Sequence, residues 1–150
     1  MATVLEVQKR ISPLTKKATL ESIAFQELKK LREILLDIQK IRLNKGLDTS
    51  GKVIGTYSFS TELIAKFENP IKPKRFGQPY NFEYTGDFFK GMQLVFKQNE
   101  AVFTGKSTNQ ELLVAKYDDL MGYTDDEWVE FLKTKLQPAF IKEFRNRAKL

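Results

Sequence analysis

The sequence predicts an α+β fold: a small antiparallel sheet built on a central β-hairpin, packed against a long helix in the N-terminal half and a kinked C-terminal helix. Three observations carry this. From Met92 to Thr104, Met92, Leu94 and Phe96 alternate with Gln93, Val95 and Lys97, and beyond Gln98-Asn99-Glu100, Ala101 and Phe103 alternate with Val102 and Thr104. This is the period of a half-buried hairpin. Leu20, Ala24, Leu28, Leu31, Leu35, Ile38 and then Ile41 or Arg42 recur at spacings of three and four, and Trp128, Leu132, Leu136, Phe140 and Phe144 recur at four. Both runs describe amphipathic helices. A hairpin alone is marginal in water, so Met92, Leu94, Phe96 and Phe103 require helices over their apolar face.

In chain order, residues 2–11 predict one short helix with Val4 and Val7 or Ile11 on one side, ended by Pro13, so that 1–18 reads as an N-terminal arm or short helix. One helix from Thr19 to about Asn44 follows, with Thr19 as N-cap, Gly46 as stop, and Ile23, Phe25, Ile34 and Leu36 widening its stripe. Asp48-Thr49-Ser50-Gly51 is turn chemistry, because an Asp carboxylate can accept from backbone two residues on. A short β segment over Lys52–Tyr57 and one helical turn over Thr61–Phe67 are expected next. Asn69-Pro70, Lys72-Pro73 and Gln78-Pro79 then disfavour helix, so 68–80 is read as an extended basic loop with few internal contacts, mobile or pinned by a neighbour. A tight turn at Thr85-Gly86-Asp87 and a helical turn at Phe88-Phe89-Lys90 lead into the hairpin. Ser107 or Thr108 can cap a helix to about Tyr117. Thr124 and Glu127 fit a capping box, Tyr123 and Trp128 a hydrophobic staple, and Asp125 and Asp126 complement the positive end of the helix dipole. Pro138 predicts a kink or a break in the last helix.

At 150 residues the chain has the length of one domain able to bury a core without staples. It holds no Cys and no His. That excludes disulfides, thiolate metal sites, the commonest general base and the usual partner of a Ser nucleophile. Phosphate loops, dinucleotide turns and calcium-loop spacing are absent. Ser50, Ser58 and Ser60 have no His to activate them, and the acidic runs read as helix caps and solvated faces rather than cation ligands. No enzyme activity, cofactor or metal is expected. No apolar run reaches the roughly 18 residues of a membrane span, and the first residues lack the apolar stretch of a signal peptide, so the chain is expected to remain in the cytosol where it is made.

The net charge of +6 is unevenly spread. Ile71–Tyr80 carries Lys72, Lys74 and Arg75 without an acid; Asp118–Glu130 carries Asp118, Asp119, Asp125, Asp126, Glu127 and Glu130 without a base. Opposite patches on one chain invite contact between copies, or between the basic patch and nucleic acid.

Three groups of residues, in this order, resemble tail-completion or virion-morphogenesis proteins of the head–tail junction in tailed bacteriophages. Gly46, Asp48, Gly51, Gly55, Tyr57 and Ser58 form the first; Thr85-Gly86-Asp87-Phe88-Phe89-Lys90-Gly91-Met92, after a basic Pro-containing loop, is similar to the family's Thr-Gly-x-Leu-x-x-Ser, with Gly91 where the family often has Ser. The third is the hairpin, a short Glu111-Leu112-Leu113 helix and the start Gly122-Tyr123-Thr124-Asp125, as in proteins of Bacteroidetes-infecting, crAss-like phages. The resemblance spans about 46–150. It implies a non-enzymatic virion component forming a homo-oligomeric ring in the tail neck below the portal, assembled in the host cytoplasm beside portal, neck or tail proteins. Lys72, Lys74, Arg75, Phe76 and Tyr80 would meet Asp125 and Asp126 of the next copy. The alternative reading is a basic nucleic-acid-binding module, with Phe76, Tyr80, Phe82 and Tyr84 stacking bases beside Lys72, Lys74 and Arg75.

Overall fold

The computed structural model describes residues 3–68, 74–83, 86–98, 100–105, 108–117 and 119–150, the side chains of 108–111 excepted. The Thr85 turn residue, Asn99 at the hairpin turn, the Ser107 cap, Tyr84, Lys72 and Asp118 lie outside the described residues. The fold is mixed helix and strand with one antiparallel hairpin, as the sequence predicts. The chain divides into two compact units, Met1–Glu33 with Asp125–Leu150, and Ile34–Thr124.

The first unit is helical. Helix α1, Val4–Ile11, starts on a capping box in which the Glu6 N–H donates to Thr3 Oγ1 at 3.3 Å and the Thr3 N–H to Glu6 Oε2 at 2.8 Å. Pro13 ends it, inside a 3-10 turn over Ser12–Thr15. Helix α2, Lys17–Lys30, buries Ile23 and Glu27; Lys30 donates to Glu27, which raises the Lys30 pKa against the opposing effect of burial.

Beyond α2 the expected single helix to Asn44 is two. Leu31 leaves the helical region at φ −89 and ψ 11, and helix α3 runs Arg32–Asn44. No Gly or Pro marks the interruption, which is why hydrophobic spacing reads straight through it. The expected Thr19 cap also moves, because the residue before α2 is Lys16, with no side-chain cap.

In the first unit, helix α7, Asp125–Phe131, begins one residue after Thr124, where the capping-box pattern puts it. A π turn, Leu132–Leu136, then joins it to helix α8, Gln137–Ala148. Pro138 has no N–H to give Thr134, and the ladder widens just before it, the Gln137 N–H reaching Leu132. The wider turn also suits the spacing: residues four apart drift about 40° per step on a 3.6-residue helix. Phe131 and Ala148 are buried, Phe140 and Phe144 stack at 6.2 Å, and Arg147 spans Glu143 and Gln26, each at 2.8 Å.

In the second unit, α3 buries Leu35, Leu36, Gln39, Arg42 and Leu43. Between the two residues the spacing left open, Arg42 faces inward at 3 % exposure while Ile41 is 57 % exposed. Arg42 donates to the carbonyls of Leu47 (2.9 Å) and Gly122 (2.8 Å) and to Gln39 Oε1 (2.9 Å), and Gln39 Nε2 donates to the Leu120 carbonyl at 2.9 Å. The hairpin of strands β1, Met92–Lys97, and β2, Glu100–Gly105, pairs Leu94 with Phe103 and Phe96 with Ala101. Gln98 at φ 45 suits the first place of a two-residue turn. Met92 and Leu94 are buried as expected, whereas Phe96, one residue before exposed Lys97 and across from exposed Ala101, is only half-buried. Helix α5, Asp87–Gly91, precedes the hairpin and helix α6, Thr108–Lys116, follows it. Tyr123 lies on Phe103 at 5.4 Å and donates to the Leu35 carbonyl at 3.0 Å.

Gly46 ends α3 as the sequence predicts. At φ 73 its N–H meets the Leu43 carbonyl at 2.9 Å, and the Leu47 N–H reaches Arg42 at 3.3 Å, a Schellman closure. A Cβ here would lie 2.4 Å from the Tyr80 carbonyl oxygen. Gly46→Ala is therefore expected to cost at least about 1–3 kcal/mol, from left-handed strain before any clash. Chemical denaturation would measure it.

Candidate interaction surface

The surface of the second unit that holds most of the expected contact residues starts from two turns. Asp48 Oδ1 accepts from the Ser50 N–H (2.8 Å), the Ser50 hydroxyl (2.7 Å) and the Lys52 N–H (2.9 Å). The chain that follows makes isolated bridges, Leu47 to Val53 and Thr56 to Pro79, instead of the expected β segment. Residues 74–80 run back along it: the Tyr57 N–H donates to Gln78 (2.9 Å), the Gly77 N–H to Tyr57 and the Tyr80 N–H to Gly55 (both 3.0 Å). The described part of the basic loop is thus pinned within its own unit rather than poor in internal contacts. Gly55 allows the close approach, since a Cβ there would meet the Tyr80 ring at 2.5 Å.

This pinning sorts the expected contact residues. Lys74 points inward at 3 % exposure, its ammonium donating to Asn81 and to the Glu83 carbonyl at 2.9 Å, with the Tyr57 ring 5.3 Å away. The Tyr57 hydroxyl donates to Asn81 Oδ1 at 2.9 Å and accepts from the Asn81 N–H at 3.0 Å, and burial raises the Tyr57 pKa. A lysine read as a surface cation is a structural one. Tyr80 is half-buried, edge-on to Tyr57 at 5.0 Å and to Phe82 at 6.4 Å. Phe82 takes φ 52, a strained value for an aromatic residue, between Tyr80 and Phe88. Arg75 and Phe76 are exposed at the turn tip, with Phe76 at 65 %. Asp125 and Asp126 are exposed in the first turn of α7, in the other unit. Lys72 lies outside the described residues.

Helix α4, Phe59–Glu68, lies where one helical turn over Thr61–Phe67 is expected, and is longer at both ends. Its start was legible: Ser58 Oγ accepts from the Thr61 N–H at 3.2 Å, an N-cap at a residue type that favours one. The helix buries Ala65 and leaves Phe59, Leu63, Ile64 and Phe67 exposed, with Phe59 edge-on to Phe76 at 6.5 Å. Glu62 ties helix to loop, accepting from Lys66 at 2.9 Å and from the Phe76 N–H at 2.8 Å.

Among the described residues, three carboxyl groups titrate below their ordinary range. For Asp48, burial is the largest influence and acts upward, but the bonds from the Ser50 hydroxyl and the Lys52 and Ser50 N–H groups outweigh it. The Phe76 N–H, then Lys66, lowers Glu62; Arg147 lowers Glu143. A folded pKa below the unfolded one stabilises above the unfolded value and is lost as pH falls through the folded one. Melting temperature is expected to hold from neutral pH to about 5 and to fall below about 4, less steeply in Asp48→Asn. Melting curves across that range check it.

Among the described residues no group of three His, Cys, Asp or Glu side chains could hold a metal ion, and no helix is long and apolar enough to cross a membrane. No family model, curated protein or solved structure matches this chain.

Proposed function

We propose that this chain is a non-enzymatic structural subunit of a tailed-phage virion, forming a ring at the head–tail junction or tail neck below the portal. Its partners are copies of itself and the adjoining portal, neck or tail proteins, and it assembles in the host cytoplasm. The motifs that resemble the head–tail junction family support this reading. The observation that carries most weight is the exposure of two chemically opposite surfaces on one chain: Arg75 with Phe76 on one unit, and Asp125 with Asp126 on the other. A closed ring needs two different surfaces per subunit.

Exposed ion pairs contribute about 0–1 kcal/mol each, so the charges set register while Phe76 supplies apolar contact. The burial of Lys74 takes it out of the contact and simplifies the test. Arg75→Glu is expected to leave the melting temperature unchanged and to impair incorporation into particles, with partial recovery when Asp125 and Asp126 are both changed to Lys. Normal incorporation of Arg75→Glu would contradict the ring contact. Nucleic acid binding that weakens steeply with salt would favour the basic-module reading instead. The packing of Tyr80 and Phe82 rings against their own unit counts against that reading.

A further inference from the structure

We infer that the outer face of α4 is a self-association surface that pairs with the same face of a second copy, antiparallel, about a two-fold axis at Leu63. The face is apolar and open: Phe59 is 66 % exposed, Leu63 48 %, Ile64 53 % and Phe67 82 %. Phe59, Leu63 and Phe67 are four residues apart, so they form one stripe, with Phe59 and Phe67 about 6 Å along the axis on either side of Leu63. Rotation about Leu63 sets Phe59 of each copy against Phe67 of the other.

The charged flank fits a second copy of this chain. Glu62 and Lys66 lie along one edge of the stripe, bridged at 2.9 Å. In an antiparallel two-fold pair the same edges of both helices come together. Glu62 then lies within about 3 Å, along the axis, of the other copy's Lys66, and the relation is reciprocal. A carboxylate accepts several hydrogen bonds and an ammonium donates three, so each can keep its internal partner. A partner of uniform charge would oppose half of this edge.

Area sets the strength. With aromatic side chains of about 150–250 Å², these exposed fractions amount to roughly 400–500 Å² per chain. Two copies would bury at most about 800–1,000 Å², below the roughly 1,200–2,000 Å² of stable specific interfaces and in the range of weak, transient ones. The dimer is therefore weak and concentration-dependent. Its contact is isologous, unlike the head-to-tail contact of a ring, and it does not depend on the virion reading.

The absence of Cys makes the geometry testable by cross-linking. Sedimentation of the full chain should show mass rising from monomer to dimer over the micromolar range. Phe67→Glu should shift that rise to at least tenfold higher concentration with an unchanged melting temperature. Leu63→Cys should oxidise to a covalent dimer, and Phe59→Cys mixed with Phe67→Cys should cross-link far better than either alone. A wild-type monomer at every concentration, Phe67→Glu dimerising normally, or no Leu63→Cys dimer would overturn the inference. Dimers without particle incorporation would sink the virion reading alone.

Discussion

Arg42→Met is expected to destabilise the Ile34–Thr124 unit by about 3–5 kcal/mol. Methionine keeps much of the apolar stem, so the loss isolates the guanidinium. That group ties the end of α3 to the turn that closes it and to a distant one, holding the Leu47 carbonyl on one side and the Gly122 carbonyl on the other. It also orients Gln39, whose amide donates to Leu120 and whose oxygen accepts from the Gly122 N–H at 3.0 Å. Stranding a buried acceptor costs about 1–3 kcal/mol, and several are stranded together. Arg42→Lys should recover only part, because an ammonium lacks the planar fork. Urea denaturation measures both; a loss under about 1 kcal/mol for Arg42→Met would mean that these carbonyls find other donors.

Phe131→Ala should cost about 3–5 kcal/mol in the helical unit, through lost burial plus the cavity left behind. Its ring is 2 % exposed and stacks on Trp128 at 5.6 Å. Trp128 is the one tryptophan of the chain, so its fluorescence reports this site directly. Phe131→Leu should lose much less, and Phe140→Ala, from a half-buried position, should lie between. A Phe131→Ala protein with native stability and unchanged emission would show that the ring does not hold α7 in place.

What could be read from the chain, and what could not, divides by the range of the cause. Gly46, the Asp48 turn, the helix start at Asp125 and the alternation of Met92 and Leu94 follow from local backbone chemistry and from period, and all were legible. The disturbance before Pro138 was legible too, though its form, a π turn, was not. Gln39 looks like the wet side of a helix, and spacing alone does not choose Arg42 over Ile41, until their partners about 80 residues away arrive. Lys74 resembles any loop lysine until Asn81 and Glu83 fold around its ammonium. The break at Leu31 carries no Gly or Pro signal. Of the expected contact set, Arg75, Phe76, Asp125 and Asp126 are exposed, Lys74 and Tyr80 are held by their own unit, and the α4 stripe lies where only one helical turn is expected, too short to show a four-residue period.

The proposed role as a ring-forming virion subunit is tested most directly by native mass and electron microscopy of the purified chain, alone and mixed with the portal protein of the same virus. Closed rings of many copies seated on the portal's tail side are expected, lost in Arg75→Glu and partly regained with the Asp125 and Asp126 reversals. A chain that never exceeds a dimer with the portal present, yet binds nucleic acid with steep salt dependence, would contradict it.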